Sequence, residues 1–254
     1  MNRTLQKDRY FIIGLLCMIL WGCSSSGTLT KNGFTPSEKD PVEVVGNIPD
    51  YSSKLTSIEG KGRAIVSEPG NTERVTVLFS SNRSKSLVTV RNGIGIEGGQ
   101  LLTDGDTLLV YNKLDKFARK IPIRGGNLNR INRLASLNIL DMISYSVAAD
   151  KVESISENTD LYRLQLSSGT KVDITKETGL IKQVVQPKTS NLPYSKITYD
   201  GYATIEEFKL PRRISIFGAE GKSKVALQLT GLELNPALNA LTINLPEDIP
   251  VYYQ

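Results

Sequence analysis

Histidine is absent from this 254-residue chain, and it holds only two cysteines. Without histidine the chain cannot use Ser-His-Asp or Cys-His catalysis, nor the common histidine-containing zinc sites. The glycines between residues 93 and 99 are followed neither by a helix pattern nor by Lys-Ser/Thr, so they form no phosphate-binding loop. Hydrolysis by two carboxylates stays open in principle, but Glu206 and Glu207 lie in a polar, turn-flanked stretch typical of a solvated edge. We therefore expect no enzyme, no catalytic residue, no metal and no cofactor.

A long hydrophobic run is also missing. The apolar stretch from Phe11 to Trp21 is far shorter than the ~20 residues of a bilayer-spanning helix. Three basic residues precede it, and a small residue follows it, which predicts a secretory signal peptide over residues 1–22. The phrase Leu-Trp-Gly-Cys that ends at Cys23 resembles the bacterial lipobox, whose cysteine is lipidated and becomes the first residue. We expect Cys23 to carry the lipid; the alternative is an ordinary signal peptide that happens to contain a cysteine.

Charge of one sign is not concentrated in the sequence. Cleavage would remove Arg3, Lys7, Arg9 and Asp8 and lower the net charge from +5 to about +3. The remaining basic residues are scattered along the chain, which does not indicate a nucleic-acid binder. Because Cys17 would leave with the signal and the second cysteine would hold the anchor, no cysteine remains for a disulfide.

The rest of the chain divides into a tether and one domain. Residues 23–40 comprise the lipid anchor and a polar, turn-rich segment that we interpret as a flexible tether. Residues 41–254 are long enough for a single domain with a substantial core, and they show no repeat of 20–50 residues. We expect this domain to face the periplasm from the outer membrane, because the serines at 24–26 provide no acidic residue after the anchor.

Alternation of apolar and polar residues begins near Ile58 and predicts strands through most of the domain. Asp104-Gly105 between two apolar runs predicts a hairpin, and turn residues recur at intervals of about 8–12 residues. Two helices interrupt this pattern, a weakly indicated one between Pro41 and Leu55 and a longer one between Asn127 and Val147. We therefore predict a mainly β (α+β) fold, in which an antiparallel sheet curls toward a barrel.

Several phrases, in this order along the chain, resemble the LolA/LolB lipoprotein-localisation family, and in particular its membrane-anchored receptor member. They are VRNGIG at 90–95, LTDGDTLLVYN at 102–112, KLPRRI at 209–214, ELNP at 233–236 and NLPEDI at 244–249. The resemblance runs patchily from about residue 50 to the C-terminus. It departs at Gly93, which replaces a proline, and in the sparse aromatic residues.

The resemblance implies an unclosed antiparallel barrel with one or two helices covering its concave face. It implies a cavity that binds acyl chains, and a role in accepting lipoproteins from a soluble periplasmic LolA-like carrier and inserting them into the outer membrane. Residues of the sheet and of the longer helix would line the cavity: Val75, Val77, Phe79, Leu108, Val110, Leu134, Leu137 and Leu140. The same residues would equally suit a packed hydrophobic core, since periodicity does not reveal a void.

Ile94 and Ile96 are apolar residues in a loop of glycines. The resemblance places Ile94 where the receptor carries an exposed leucine, and so implies a membrane-touching loop; the alternative is that either side chain turns back into the core. Two functional hypotheses remain for the whole chain. One is a lipid-handling protein that binds acyl chains or lipoproteins, and the other is an interaction lipoprotein of an envelope complex, on the same fold, without an acyl ligand.

Overall fold

The computed structural model describes residues 33–123, 132 and 135–253. The chain divides into two compact units, Met1–Thr35 and Pro36–Gln254. Of the first unit only residues 33–35 are described, so the predicted signal peptide, Cys23 and most of the tether lie outside the described residues. The second unit contains the whole of the predicted domain at 41–254.

Strands dominate the described part of the second unit, and their bounds place the turns at the predicted hairpins. The first nine strands are β1 (Thr35–Ser37), β2 (Ser57–Glu68), β3 (Asn71–Asn82), β4 (Ser86–Arg91), β5 (Glu97–Thr103), β6 (Thr107–Asn112), β7 (Phe117–Pro122), β8 (Val152–Glu157) and β9 (Leu161–Leu166). The remaining strands are β10 (Lys171–Thr175), β11 (Ile181–Val185), β12 (Tyr194–Asp200), β13 (Ala203–Ile205), β14 (Phe208–Leu210), β15 (Arg213–Gly218), β16 (Lys224–Leu234) and β17 (Val251–Tyr253).

Fifteen of these strands form one curved sheet, in the order β1-β8-β9-β10-β11-β12-β15-β16-β2-β3-β4-β5-β6-β7-β17. In this order, every pair of neighbouring strands between β8 and β7 is antiparallel. The last strand, β17, runs parallel to β7. Strands β13 and β14 form a separate two-stranded ribbon. The two ends of the large sheet do not pair with each other, so the barrel stays unclosed, and the predicted fold class is confirmed.

The centre of the sheet is the long hairpin of β2 and β3, in which Glu68 pairs with Asn71 across Gly70. Gly70 has a φ of +81°, a value that glycine adopts without a steric penalty. Gly60 is needed for a different reason, because a Cβ there would lie 2.7 Å from Cζ of Phe79 on the facing strand. The missing side chain leaves room at Gly60 for the Phe79 ring, which is almost fully buried.

The two faces of the sheet are covered differently. The inner face carries the largest buried cluster, which extends from Phe79 to Leu164 and Ile214. On the outer face, Tyr111 and Ala118 of β6 and β7 form a smaller cluster with Ile243 and Ile249. The irregular segment that follows β16 therefore covers one part of the outer face. Among the described helices none is long and apolar enough to cross a bilayer.

Two short helices lie in the described residues. The first, α1 (Pro41–Gly46), begins at the predicted residue, with Asp40 as its N-cap: the carboxylate of Asp40 accepts the Val42 N–H at 2.8 Å. The second, α2 (Ile139–Ile143), is followed by a 3₁₀ turn at Ala149–Lys151. The prediction of one continuous helix from Asn127 to Val147 is wrong in its C-terminal part, because residues 136–138 are not helical and α2 ends at Ile143.

The break in this helix has a clear cause at Asn138. Its backbone is extended (φ −71°, ψ 123°), and its side-chain oxygen caps α2 by accepting the Asp141 N–H. Its side-chain amide donates to the Asn82 carbonyl at 2.8 Å. These two side-chain hydrogen bonds favour an extended backbone at Asn138 over the helical backbone that a continuous helix would require.

Candidate functional site

A cavity of about 330 Å³ lies between the inner face of the sheet and the segment that ends in α2. Its wall is made mainly of aliphatic side chains from β2, β3, β4, β5, β15 and β16. The described lining residues are Ala64, Val66, Glu68, Asn71, Glu73, Val75, Val77, Phe79, Val88, Val90, Leu101, Ala135, Leu137, Ile139, Met142, Ile216, Val225 and Leu227.

Strand register explains why residues so far apart share this wall. Val77 pairs with Val90, and Phe79 pairs with Val88, which in turn pairs with Leu101. Directly opposed residues of an antiparallel pair point to the same face of the sheet. A separate row of the same face crosses β2, where Ala64 lies between Val75 and Leu227. Short β-branched residues at these positions leave space that larger side chains would fill.

The residues from Ala135 to Met142 lie over the cavity, and we call them the covering segment. Two buried serines fix this segment at one end. Ser81 and Ser86, at the facing ends of β3 and β4, approach each other to 2.5 Å through their hydroxyls. The Ser86 hydroxyl accepts the Ile139 N–H at 2.9 Å, and the Ser81 hydroxyl accepts the Leu140 N–H at 3.2 Å. These bonds satisfy amide groups at the start of α2, which have no partner within the helix. They thereby hold Ile139 over the sheet as part of the cavity wall.

The polar groups of the cavity are gathered at its other end, where the β2–β3 hairpin closes. Glu68 and Glu73 are the charged residues among the described lining residues, and the Asn71 amide donates to Glu73 Oε1 at 3.0 Å. The rest of the described wall is apolar. Nowhere in the described ranges do three Asp, Glu, Cys or His side chains gather as a metal site would require. An apolar interior with polar groups at one end suits a ligand with an apolar chain.

The structure brings four of the predicted cavity residues together. Val75, Val77 and Phe79 line the wall on β3, and Leu137 lines it from the covering segment. Leu134 lies outside the described residues.

The other three predicted cavity residues are not among the residues that line this cavity. Leu108 has no exposed surface and packs with Ile121, and Val110 packs against the same pair. Leu140, on α2, is fully buried in the main core. Leu108 and Val110 lie on the inner face of β6, as the alternation predicted, but they pack in a small cluster with Ile121 and do not line the cavity. Cavity and packed core are therefore both present, in different parts of the sheet.

Sequence reasoning missed the wall residues of five strands, β2, β4, β5, β15 and β16. Val88 and Val90 on β4 were visible as an alternating pattern, but alternation does not reveal which face is inside. Ile216 and Val225 come from β15 and β16, about 150 residues further along the chain. Their place beside β2 depends on the pairing of the last long strand with β2, and no local signal encodes that pairing.

Beside the cavity, the main buried cluster includes several tyrosines. Burial raises the pKa of Tyr145 to about 12 and raises the pKa of Tyr194 above its ordinary value. Burial also raises the pKa values of Tyr199 and Tyr202. The Tyr202 hydroxyl donates to the Ile181 carbonyl at 2.7 Å, whereas the Tyr199 hydroxyl has no protein partner among the described residues. The space lined by Tyr145, Tyr199 and Tyr202 has a volume of only about 20 Å³, so the side chains around it form a packed core.

The loop between β4 and β5 is a compact turn that presents an apolar side chain. Asn92 organises it: its side-chain oxygen accepts the N–H groups of Ile94 and Ile96 at 3.1 and 2.9 Å. Gly95 adopts a φ of +87°, which favours glycine. Ile94 is 82% exposed and Ile96 is 50% exposed, so neither side chain turns back into the core.

Comparison with known proteins adds information about the fold. No family model matches the sequence, and no curated protein matches it either. The chain is similar in structure to a LolA superfamily protein from Nitrosomonas europaea, with 10% identity, 79% of this chain and 96% of that chain covered, and a TM-score of 0.52. It is also similar to a DUF1329 family protein from Desulfovibrio piger, with 12% identity, 78% and 92% coverage, and a TM-score of 0.50.

These similarities extend over nearly the full length of both solved structures. Neither similarity shows the membrane-anchored receptor of the LolA/LolB family, so the likeness to that member stays a prediction. Identities of 10% and 12% carry information about the fold alone. The chain therefore has the unclosed-barrel fold of the LolA superfamily.

Proposed function

We propose that this chain is a lipid-anchored envelope protein that binds acyl chains in the cavity of its unclosed barrel. In this role it accepts lipoproteins, or other acylated molecules, at the periplasmic face of the outer membrane and passes them into the bilayer. The observation that carries the proposal is the aliphatic cavity of about 330 Å³ on the inner face. Its volume falls within the range of about 300–1,000 Å³ that is typical of ligand sites.

The chemistry of the wall favours an apolar chain over a polar ligand. Valine, isoleucine and leucine side chains offer no hydrogen bonds, so a polar ligand would lose its hydration without compensation. A methylene group that leaves water gains about 0.8 kcal/mol. About ten methylene groups would therefore gain about 8 kcal/mol, before the cost of immobilising the chain is subtracted.

The N-terminal region supports the proposed location. Cys23 ends a phrase that resembles a lipobox, and a diacylated cysteine is a sufficient anchor for a tethered domain. Ser24 follows it in place of an acidic residue, which favours residence in the outer membrane. The donor would be a soluble periplasmic carrier of the LolA type, and the exposed Ile94 would touch the bilayer during transfer. No catalytic step is needed for this role.

The test is mass spectrometry of lipid extracted from the purified chain carrying Cys23→Ala, so that no covalent lipid contributes. We expect acylated molecules in near-stoichiometric amounts. Val77→Phe, which adds volume at the cavity wall, should reduce that amount. Val42→Phe is the matched control, because Val42 is 67% exposed on α1. Absence of extractable lipid, or an equal amount in the Val77 variant, would favour an envelope interaction protein without an acyl ligand.

A further inference from the structure

Six basic residues that are scattered in the sequence lie together on the outer face of the sheet. One row of paired residues runs from Arg213 through Gln228, Arg63 and Thr76 to Arg91. The next row places Arg74 opposite Ile65. A third row contains Lys196, Phe217 and Lys224. Because paired residues share a face, the side chains of three successive rows form one basic surface, which we call the basic face.

Few acidic groups neutralise this surface. Arg213 forms an ion pair with Asp200 at 2.7 Å, and both side chains are largely exposed. Glu97, at the β5 end of the first row, is paired with Lys113 at 3.0 Å. By contrast, Arg63, Arg74 and Arg91 have no acidic partner within ion-pair distance among the described residues. Three uncompensated guanidinium groups on adjacent strands attract anions.

The two lysines of the third row stand on either side of an aromatic ring. The ammonium group of Lys196 lies 4.4 Å from the centre of the Phe217 ring, and that of Lys224 lies 5.1 Å from it. Such contacts hold the lysines over the sheet. The positive charge of this row is therefore fixed close to the arginine rows.

A described segment covers part of the outer face, whereas the described residues leave the basic face open. The segment after β16 covers β6 and β7 through Ile243 and Ile249. Over β2, β3, β15 and β16 the face is an open groove of about 670 Å³, whose lining includes Arg63, Arg74 and Arg213. Ile65 in the middle of it is 40% exposed. Thus the sheet offers an accessible basic surface with an apolar centre.

The exposed apolar loop adjoins this groove. Arg91 immediately precedes the turn at 92–96, and Gly93 contributes to the groove lining. Leu114, in the turn between β6 and β7, is 67% exposed, and the ion pair of Lys113 with Glu97 places this turn beside the start of β5. Ile94, Ile96 and Leu114 therefore form an apolar tip at the edge of the basic face.

We infer that the basic face and the apolar tip together dock on the surface of a bilayer that contains anionic phospholipids. Guanidinium groups bind phosphate oxygens through two parallel hydrogen bonds, and the isoleucines enter the apolar layer just below the headgroups. A bilayer offers phosphates and hydrocarbon side by side, whereas a nucleic-acid backbone offers no apolar layer. This docking is independent of the cavity, so it stands or falls separately from acyl binding.

Acidic residues set the orientation of the docked protein. Glu68 and Glu73 lie on the inner side of the β2–β3 hairpin, at the polar end of the cavity. On the outer face, Glu59 and Glu233 form a pair two rows beyond Arg63, toward the other end of the strands. The anionic surface repels both groups, so the outer side of the hairpin end approaches the bilayer.

The experiment measures partition of the full chain carrying Cys23→Ala onto neutral phosphatidylcholine vesicles and onto vesicles with about 30% phosphatidylglycerol. The ratio of the two partition coefficients isolates the electrostatic contribution, because the N-terminal segment is the same in every variant. Each arginine near an anionic surface contributes about 1 kcal/mol, which is about a fivefold change. The triple variant Arg63→Gln, Arg74→Gln, Arg91→Gln should therefore lower the ratio about 100-fold.

Two variants and one competitor make this result decisive. The control Lys54→Gln, Lys85→Gln, Lys209→Gln removes the same charge near the opposite end of the strands and should leave the ratio unchanged. Replacement of the three arginines by lysine should retain most of the wild-type ratio, because the charge is kept. An unchanged ratio in the arginine-to-glutamine variant overturns the inference, and so does an equal loss in the control. If the triple arginine-to-glutamine variant fails to fold, the single variant Arg74→Gln must lower the ratio about fivefold. Tighter binding of a single-stranded oligonucleotide than of the anionic vesicles would also overturn it.

Discussion

Arg83 and Asp141 join the turn between β3 and β4 to the covering helix, with Arg83 Nη1 2.8 Å from Asp141 Oδ1. The other guanidinium nitrogen, Nη2, donates to the Leu55 carbonyl at 2.7 Å. Arg83 thus connects the β3–β4 turn, α2 and the segment that precedes β2. The cavity wall contributed by α2 is held in place by this contact and by the two serines beneath it.

Arg83→Gln should lower the free energy of unfolding by about 1–3 kcal/mol, because the Leu55 carbonyl loses a charged donor. Asp141→Asn should cost less, about 0–1 kcal/mol, since the ion pair is partly solvated and the bond to Leu55 remains. Urea unfolding of both variants checks the order. An equal loss in the two variants would show that the ion pair, and not the carbonyl contact, provides the stability.

Ile94→Glu should leave the melting temperature almost unchanged, because an exposed loop side chain contributes little to stability. It should impair transfer of a lipoprotein to liposomes, since a charge resists entry into the apolar layer. Thermal melting and a transfer assay on the same preparation test both parts. Val42→Glu, at an exposed position on α1, is the control and should transfer normally. Normal transfer by the Ile94 variant would show that the loop has no role in delivery.

The buried tyrosines predict a loss of stability at alkaline pH. Burial raises the pKa of Tyr145 to about 12 from an ordinary value of 10.0. Above pH 10 the unfolded chain therefore loses protons that the folded chain retains, and the free energy of unfolding falls between pH 10 and 12. Denaturant unfolding at several pH values measures this fall. Tyr145→Phe should make it shallower; an unchanged pH dependence would show that Tyr145 ionises equally in both states.

Cys23→Ala should release the protein from the membrane fraction or leave it as an unprocessed precursor, because the predicted anchor is removed. Fractionation and palmitate labelling of cells check this outcome. Ser26→Ala, close to the anchor, is the control and should remain membrane-bound and labelled. Labelling that persists in the Cys23 variant would contradict the lipobox interpretation.

The fold class could be predicted from the sequence because strand alternation and turn chemistry are local signals. Asp104-Gly105 and Pro69-Gly70 each mark a hairpin, and the apolar residues of β3 alternate as an inner face requires. The end of the covering helix was misplaced, although a local signal was available. Asn138 followed three residues later by Asp141 is a helix start, and the apolar stripe that runs across it concealed the break.

The candidate site could be predicted only in part. Val77 and Leu137 were found from periodicity, whereas Ile216 and Val225 depend on pairings between strands that are far apart in the chain. Leu108 obeyed the same alternation as Val77 but packs where the sheet leaves no space, since a void is a property of all its neighbours together. The basic face was missed for a related reason: its arginines are separated by 10 or more residues and meet only through strand register.

Binding of a fluorescent fatty-acid probe to the wild-type chain and to Leu137→Trp tests the central claim most directly. Leu137 lines the cavity at the covering segment, so a tryptophan there fills the space without adding charge, at a cost in stability of about 1–3 kcal/mol if it overpacks. Val42→Trp adds the same ring on the surface and serves as the control. The proposed function predicts saturable binding by wild type and control, and binding at least tenfold weaker by Leu137→Trp. Absence of binding by the wild-type chain, or equal binding by all three proteins, would contradict it.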